Sequence, residues 1–191
     1  MSSYDLVAIG ASWGGLHAIG TVLTGLGPGF GAAVVVAQHR SASDDQDLLP
    51  GLLARRSGLP VLDGEDKGEL VPGHVVVAPA GYHLLVEDGR VELSCEELVQ
   101  FSRPSIDVLF ESVAQEYRER AIGVVLTGAN DDGAYGLAEI ARHGGHTVVE
   151  DPATAERTEM PLAALRAVEP DAVLPLEAIA GHLHSLCAAV A

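Results

Sequence analysis

The sequence predicts an α/β fold: a doubly wound, mostly parallel sheet with helices on both faces and one β-hairpin. Three observations predict it. Short, uniformly apolar runs recur, such as residues 5–10, 32–38 and 122–127, as strands buried on both faces require. Stretches with apolar residues at helical spacing lie between them, and strand–helix alternation points to a parallel sheet. Polar or glycine-rich turns follow the apolar runs, where such folds keep their loops.

Residues 5–10 form the first expected strand and run into a glycine-rich turn. A helix over 16–26 follows and stops at Gly27-Pro28-Gly29. Residues 32–38 make the second strand, and a polar loop leads to a helix near 47–57. The third strand is His74-Val-Val-Val-Ala-Pro79. Residues 83–87 and 90–94 flank Asp88-Gly89, which signals a type I′ hairpin. Arg103-Pro104-Ser105 opens a helix carrying Ile106, Val108, Leu109, Val113 and Ala114. Strand 122–127, an Asn-Asp-Asp-Gly turn, a helix over 135–142 and strand 146–150 come next. Helices near 161–167 and 176–189 close the chain around a short apolar Ala172-Val-Leu. A single domain spanning 1–191 is expected, because that length buries roughly 70% of the unfolded surface without a staple.

Composition excludes several classes. No apolar run is long enough to cross a bilayer and no signal peptide is visible, so a cytoplasmic protein that is not membrane-inserted is expected. The two cysteines, Cys95 and Cys187, read as reduced thiols. The net charge of −16 would repel phosphates, which argues against a nucleic-acid partner. His182 and His184, two apart on a helix, point to different faces, so no metal is expected there, and no cofactor is called for.

Three polar clusters fall after strands: Ser12, His39 and Asn130-Asp131-Asp132. Gly10-Ala-Ser12-Trp-Gly14 fits the G-x-S-x-G nucleophile elbow, in which small flanking residues let a serine oxygen stand clear of a sharp turn. A serine needs a base, and the base needs a carboxylate to hold one tautomer. His39 and one of the two aspartates would serve. The order Ser, His, Asp, with the elbow on the first strand, is not that of an ordinary α/β-hydrolase. A dinucleotide site is the competing reading. It fails because Ser12 replaces the second glycine and Gln38-His39-Arg40 stands where an acid should bind ribose.

Longer segments carry a resemblance. Val7-Ala-Ile-Gly-Ala-Ser-Trp-Gly-Gly, Gln38-His39, residues 74–83, Arg103-Pro-Ser-Ile-Asp-Val-Leu-Phe-Glu-Ser-Val-Ala, Val124-Val-Leu-Thr-Gly, Asp132-Gly133-Ala134 and Met160-Pro161 resemble the catalytic domain of the CheB family. These are the protein-glutamate methylesterases that demethylate bacterial chemoreceptors. The resemblance implies Ser12 as nucleophile, His39 as general base and then acid, and Asp132 as its orienter. It implies hydrolysis of γ-glutamyl methyl esters on methylated or amidated helical receptor segments, and often glutamine deamidation.

The rim departs from the family's pattern. Trp13 stands where threonine is common, Ala129-Asn130 where Met-Gly is common, and Arg40-Ser41 where Met-Pro is common. Backbone N–H groups of Trp13 and Ala129 are the expected oxyanion donors. Trp13 either faces substrate or packs, and Arg103 either steers an acidic helix or stabilises its loop. A noncatalytic or re-targeted binding module on this fold is the alternative. With Met1 just before the first strand, no fused receiver domain is expected, and hence no gating in cis by phosphorylation.

Overall fold

The computed structural model describes residues 4–40 and 48–187. The N-terminal end of the helix expected near 47–57 therefore lies outside the described residues, as does the end of the last one. Among the described residues, seven parallel strands form one sheet: β1 (Leu6–Ala11), β2 (Ala33–Gln38), β3 (Val61–Asp63), β4 (Val75–Val77), β7 (Ala121–Val125), β8 (His146–Glu150) and β9 (Ala172–Leu174). Their order across the sheet is β3-β4-β2-β1-β7-β8-β9. β5 (His83–Glu87) and β6 (Arg90–Ser94) make the separate antiparallel hairpin, turning through Asp88 and Gly89 at φ 49° and 71°. Positive φ at both central residues is the type I′ geometry.

β1 and β2 are buried on both faces, and their side chains alternate between two cores. Val7, Ile9, Val34 and Val36 point to the core covered by α1 (Gly15–Gly25), α2 (Leu49–Ala54) and α6 (Leu176–Cys187). Leu6, Ala8, Val35 and Ala37 point to the core covered by α3 (Ile106–Tyr117), α4 (Ala134–Arg142) and α5 (Glu159–Ala167). This is the doubly wound architecture the alternation predicts. The one strand that the apolar pattern does not announce is β3. It pairs only with β4 at the sheet edge and its residues are not buried, so they carry no buried-strand signature.

The strand order reverses between β1 and β7. The chain winds outward from β1 through β2 toward β4, then returns to β7 and winds the other way. Loops at the carboxyl ends of these two central strands diverge there and leave a crevice. Residues 12–14 and 126–133 stand on its two sides.

α3 and α4 pack closely against each other because Gly136 has no side chain. A Cβ there would lie 2.6 Å from Phe110 Cβ and 3.0 Å from the Asp107 carbonyl oxygen. Gly136→Ala is expected to destabilise the protein by about 2–3 kcal/mol through overpacking. Gly181→Ala, on an exposed helical position with nothing within 4 Å, is expected to stabilise it by about 0.5–1 kcal/mol. Urea unfolding midpoints of the two variants check both signs.

Candidate active site

Ser12 follows the last residue of β1. Its N–H donates to the Thr127 carbonyl (2.9 Å) and its carbonyl accepts from Gly15 N–H (2.9 Å). These bonds make the turn from β1 into α1, with Gly14 in the left-handed region at φ 79°. His39 follows β2, and its N–H donates to the Ala11 carbonyl at 3.1 Å. Parallel pairing of β1 with β2 thus delivers Ser12 and His39 side by side. The third group, Asp132, comes from the loop after β7 on the other side of β1.

His39 Nδ1 lies 3.2 Å from Ser12 Oγ, and His39 Nε2 lies 2.6 Å from Asp132 Oδ2. With the proton on Nε2 donated to Asp132, Nδ1 presents a lone pair to the serine hydroxyl. The ring is used in the opposite sense to the serine-protease arrangement, where Nε2 faces the serine. Asn130 Nδ2 is 3.3 Å from the same Nδ1, so this amide shares the nitrogen that faces Ser12. Asp131, the neighbouring carboxylate, is exposed, and its carbonyl accepts from Ala134 N–H.

Asp132 is fully buried and accepts four hydrogen bonds. Oδ2 takes His39 Nε2 and the Ile106 N–H (2.7 Å); Oδ1 takes the Ser105 hydroxyl (2.9 Å) and the Asp107 N–H (3.0 Å). Two of these donors are the first N–H groups of α3, which have no partner within their own helix and sit at its positive end. Burial alone would push this carboxyl up. The bonds from His39, Asp107 N–H and Ile106 N–H outweigh it and hold Asp132 below its ordinary value.

Asp107 answers from the other helix. Its Oδ1 accepts from Gly133 N–H (2.9 Å) and Gly136 N–H (2.7 Å), at the start of α4, and its Oδ2 from Gln100 Nε2 (2.9 Å). Each helix therefore caps the other: Asp132, just before α4, satisfies α3, and Asp107 of α3 satisfies α4. Burial raises Asp107 to about 6, with the Asp132 charge adding to the rise and the Gly136 and Gly133 N–H groups opposing it. His83, also buried, accepts from Ser105 N–H on Nδ1 (3.2 Å) and donates from Nε2 to the Glu97 carbonyl (2.9 Å), bracing the start of α3. Ser105 thus serves Asp132 with its hydroxyl and is sealed from solvent.

Among the described residues the N–H groups of Trp13 and Ala129 have no partner, and both residues are exposed beside Ser12 and Asn130. Arg103 lies against its own loop, with Nη1 donating to the Cys95 (2.8 Å) and Glu96 (2.6 Å) carbonyls. Sequence reasoning did not assign Ser105, Asp107, His83, Glu156 or Arg157. For Ser105 a signal existed: a serine just before an apolar helical run is a helix-cap pattern. Among the described residues no group of three or more His, Cys, Asp or Glu is arranged to hold a metal ion. Of the two histidines near the C-terminus, His182 faces His146 and His184 faces Phe30.

A doubly wound sheet with a serine, a histidine and a buried carboxylate aligned at its switch point defines a serine-hydrolase-like α/β domain. The model of the CheB methylesterase family matches residues 7–183, and the chain belongs to that family. It is 45% identical over 179 residues to a putative protein-glutamate methylesterase/protein-glutamine glutaminase of Leptospira interrogans, covering 93% of this chain and 92% of that one. It is 41% identical over 182 residues to protein-glutamate methylesterase/protein-glutamine glutaminase 2 of Anaeromyxobacter dehalogenans, covering 95% of this chain but 53% of the relative. The chain thus spans about half the length of that relative and most of the other. The CheB methylesterase catalytic domain of Thermotoga maritima superposes with a TM-score of 0.91 at 31% identity, covering 96% of this chain and 99% of that one.

Two outcomes follow from the paired carboxylates. Asp132→Asn is expected to lower esterase kcat by about 10³–10⁴-fold, because an amide cannot hold the Nε2–H tautomer of His39. Asp131→Asn should stay within a few-fold, and assaying both variants on one ester checks the contrast. Asp107 carries the opposite pH signature. Its folded-state pKa of about 6 lies above the ordinary 3.8, so its contribution is most favourable below pH 4 and is lost as pH rises through 6. Asp107→Asn should remove that loss, so relative to wild type the urea midpoint of the variant should rise on going from pH 4.5 to pH 7.

Proposed function

We propose that this chain is a protein-glutamate methylesterase that hydrolyses γ-glutamyl methyl esters on chemoreceptor-like proteins and deamidates glutamine at equivalent positions. The observation that carries the reading is the line Ser12 Oγ, His39 Nδ1, His39 Nε2, Asp132 Oδ2, at 3.2 Å and 2.6 Å. Family membership supports the substrate class, since relatives are named for both activities. The reading places the protein in the cytoplasm; among the described residues no helix is long and apolar enough to cross a membrane.

In this mechanism Ser12 Oγ attacks the ester carbonyl carbon as its proton passes to His39 Nδ1. The imidazolium keeps its Nε2–H on Asp132, which stabilises the charge and the ring orientation. The carbonyl oxygen becomes an oxyanion and accepts from the N–H groups of Trp13 and Ala129. Collapse breaks the C–O bond to methoxide, which takes the Nδ1 proton and leaves as methanol. Water then attacks the acyl-serine with His39 again as base, and the products are a glutamate side chain and free Ser12. With glutamine as substrate, ammonia leaves in place of methanol.

Methanol release from a methylated receptor fragment tests the reading. Wild type should release it, and Ser12→Ala should be slower by several orders of magnitude, since members of a triad act as a unit. Comparable turnover by Ser12→Ala would remove the covalent mechanism, and no turnover by wild type would leave a binding module.

A further inference from the structure

Trp13 directly follows Ser12 and is 59% exposed, yet it is held from three directions. Its Nε1–H donates to Glu156 Oε1 at 3.0 Å. The Arg157 guanidinium carbon lies 5.4 Å from the ring centroid, within cation–π range. The Trp13 carbonyl accepts from Thr127 Oγ1 at 3.0 Å, and Thr127 Oγ1 in turn accepts from Arg157 N–H at 2.8 Å. Glu156 also fills the space beside Gly14, where a Cβ would meet its Oε2 at 2.7 Å. The nucleophile turn and the loop before α5 are thereby locked together, with an exposed indole on the residue that directly follows Ser12.

Charge bears on what such a platform would accept. The chain carries a net −16, so an acidic polypeptide is repelled unless a cation meets it at the site. Lys67, Arg90, Arg120 and Arg142 are each paired with a carboxylate, and Arg103 is bonded to loop carbonyls. Arg157 is exposed and, among the described residues, makes no ion pair. One face of its guanidinium rests on Trp13 and its donors remain available, in the planar fork that suits a carboxylate.

We infer that Trp13 and Arg157 determine which ester is taken: a glutamyl methyl ester with Asp or Glu one helical turn away, its aliphatic stem on the indole and the neighbouring carboxylate on Arg157. This rests on the methylesterase reading and adds the sequence context of the substrate. Glu156 works against the preference, because its carboxylate, bonded to the Trp13 Nε1–H, adds a negative charge to the same platform.

Two synthetic helical peptides test it, each with a single glutamyl γ-methyl ester and either Asp or Asn four residues before and after. Methanol release is measured for wild type, Arg157→Ala, Trp13→Thr and Glu156→Gln. Wild type should favour the Asp peptide about fivefold in kcat/KM at low salt, and the ratio should shrink as salt is raised. Arg157→Ala should bring the ratio near one, chiefly through KM. Trp13→Thr should reduce it by releasing Arg157. Glu156→Gln, which keeps an acceptor for Nε1–H and removes the opposing charge, should enlarge it. Equal rates on both peptides by wild type, or a preference that survives Arg157→Ala, would overturn the inference and leave the methylesterase reading standing. No methanol from either peptide would overturn both.

Discussion

Asp132 carries its carboxylate where no solvent reaches it, and an unpaired charge in such a place costs several kcal/mol. Four donors remove that cost, and each comes from an element that must be in its final position. Ile106 and Asp107 offer N–H groups only if α3 begins at Ser105; Ser105 offers its hydroxyl only if the preceding loop is braced by His83. The fourth donor is His39, which hangs from β2. One buried charge therefore ties β2, α3 and the loop after β7 into a single unit. The orientation of the imidazole toward Ser12 is a consequence of that tie.

The sheet supplies the remaining coordinates. Ser12 and His39 owe their separation to register, because Ala11 lies opposite Gln38 across a parallel pair. Asp132 arrives from the strand on the other flank of β1, so the three groups meet over the central strand and at the place where winding direction changes. Loops there diverge and leave side chains accessible at the carboxyl ends, which lets a rigid scaffold present the half-buried Ser12 to the crevice. Rigidity comes from strands that are buried throughout, with aliphatic side chains alternating into two cores.

The alternation of buried runs and helical stretches made the sheet legible, and small residues around Ser12 made the sharp turn from β1 into α1 legible. Strand β3 was not, since an edge strand with exposed residues has no burial period to read. Choosing between Asp131 and Asp132 took the resemblance, because two adjacent carboxylates in a turn are equivalent until α3 is placed over one of them. Ser105 and Asp107 sat in plain view in the Arg-Pro-Ser-Ile-Asp segment, but their partners in the loop before α4, Asp132 and Gly133, are 25 or more residues away in the chain. Glu156 and Arg157 were further out of reach. The bond that fixes Trp13 spans 143 positions, and only the spatial return of β8 and its loop brings those side chains to the elbow. Arg103 carried two readings, and its bonds to the Cys95 and Glu96 carbonyls place its guanidinium within its own loop.

The reciprocal capping of α3 and α4 sets two buried carboxyl groups close together, and such a pair does not ionise as two independent groups. What separates them is the identity of their donors. Asp132 receives His39, a group that can itself carry a proton and a positive charge, besides α3's N–H groups and the Ser105 hydroxyl. Asp107 receives two glycine N–H groups and an amide, and none of these can become charged. Burial therefore prevails at Asp107 and lifts it to about 6, whereas the bonds at Asp132 prevail over burial and keep it low. Of the two carboxyls, Asp107 is therefore the more readily protonated. Neutralising Asp107 then relieves the repulsion on Asp132, so the carboxylate that holds His39 becomes better stabilised as its neighbour is titrated. The helix termini thus do more than close the fold: their exchange of caps decides which of the two acids stays charged beside His39.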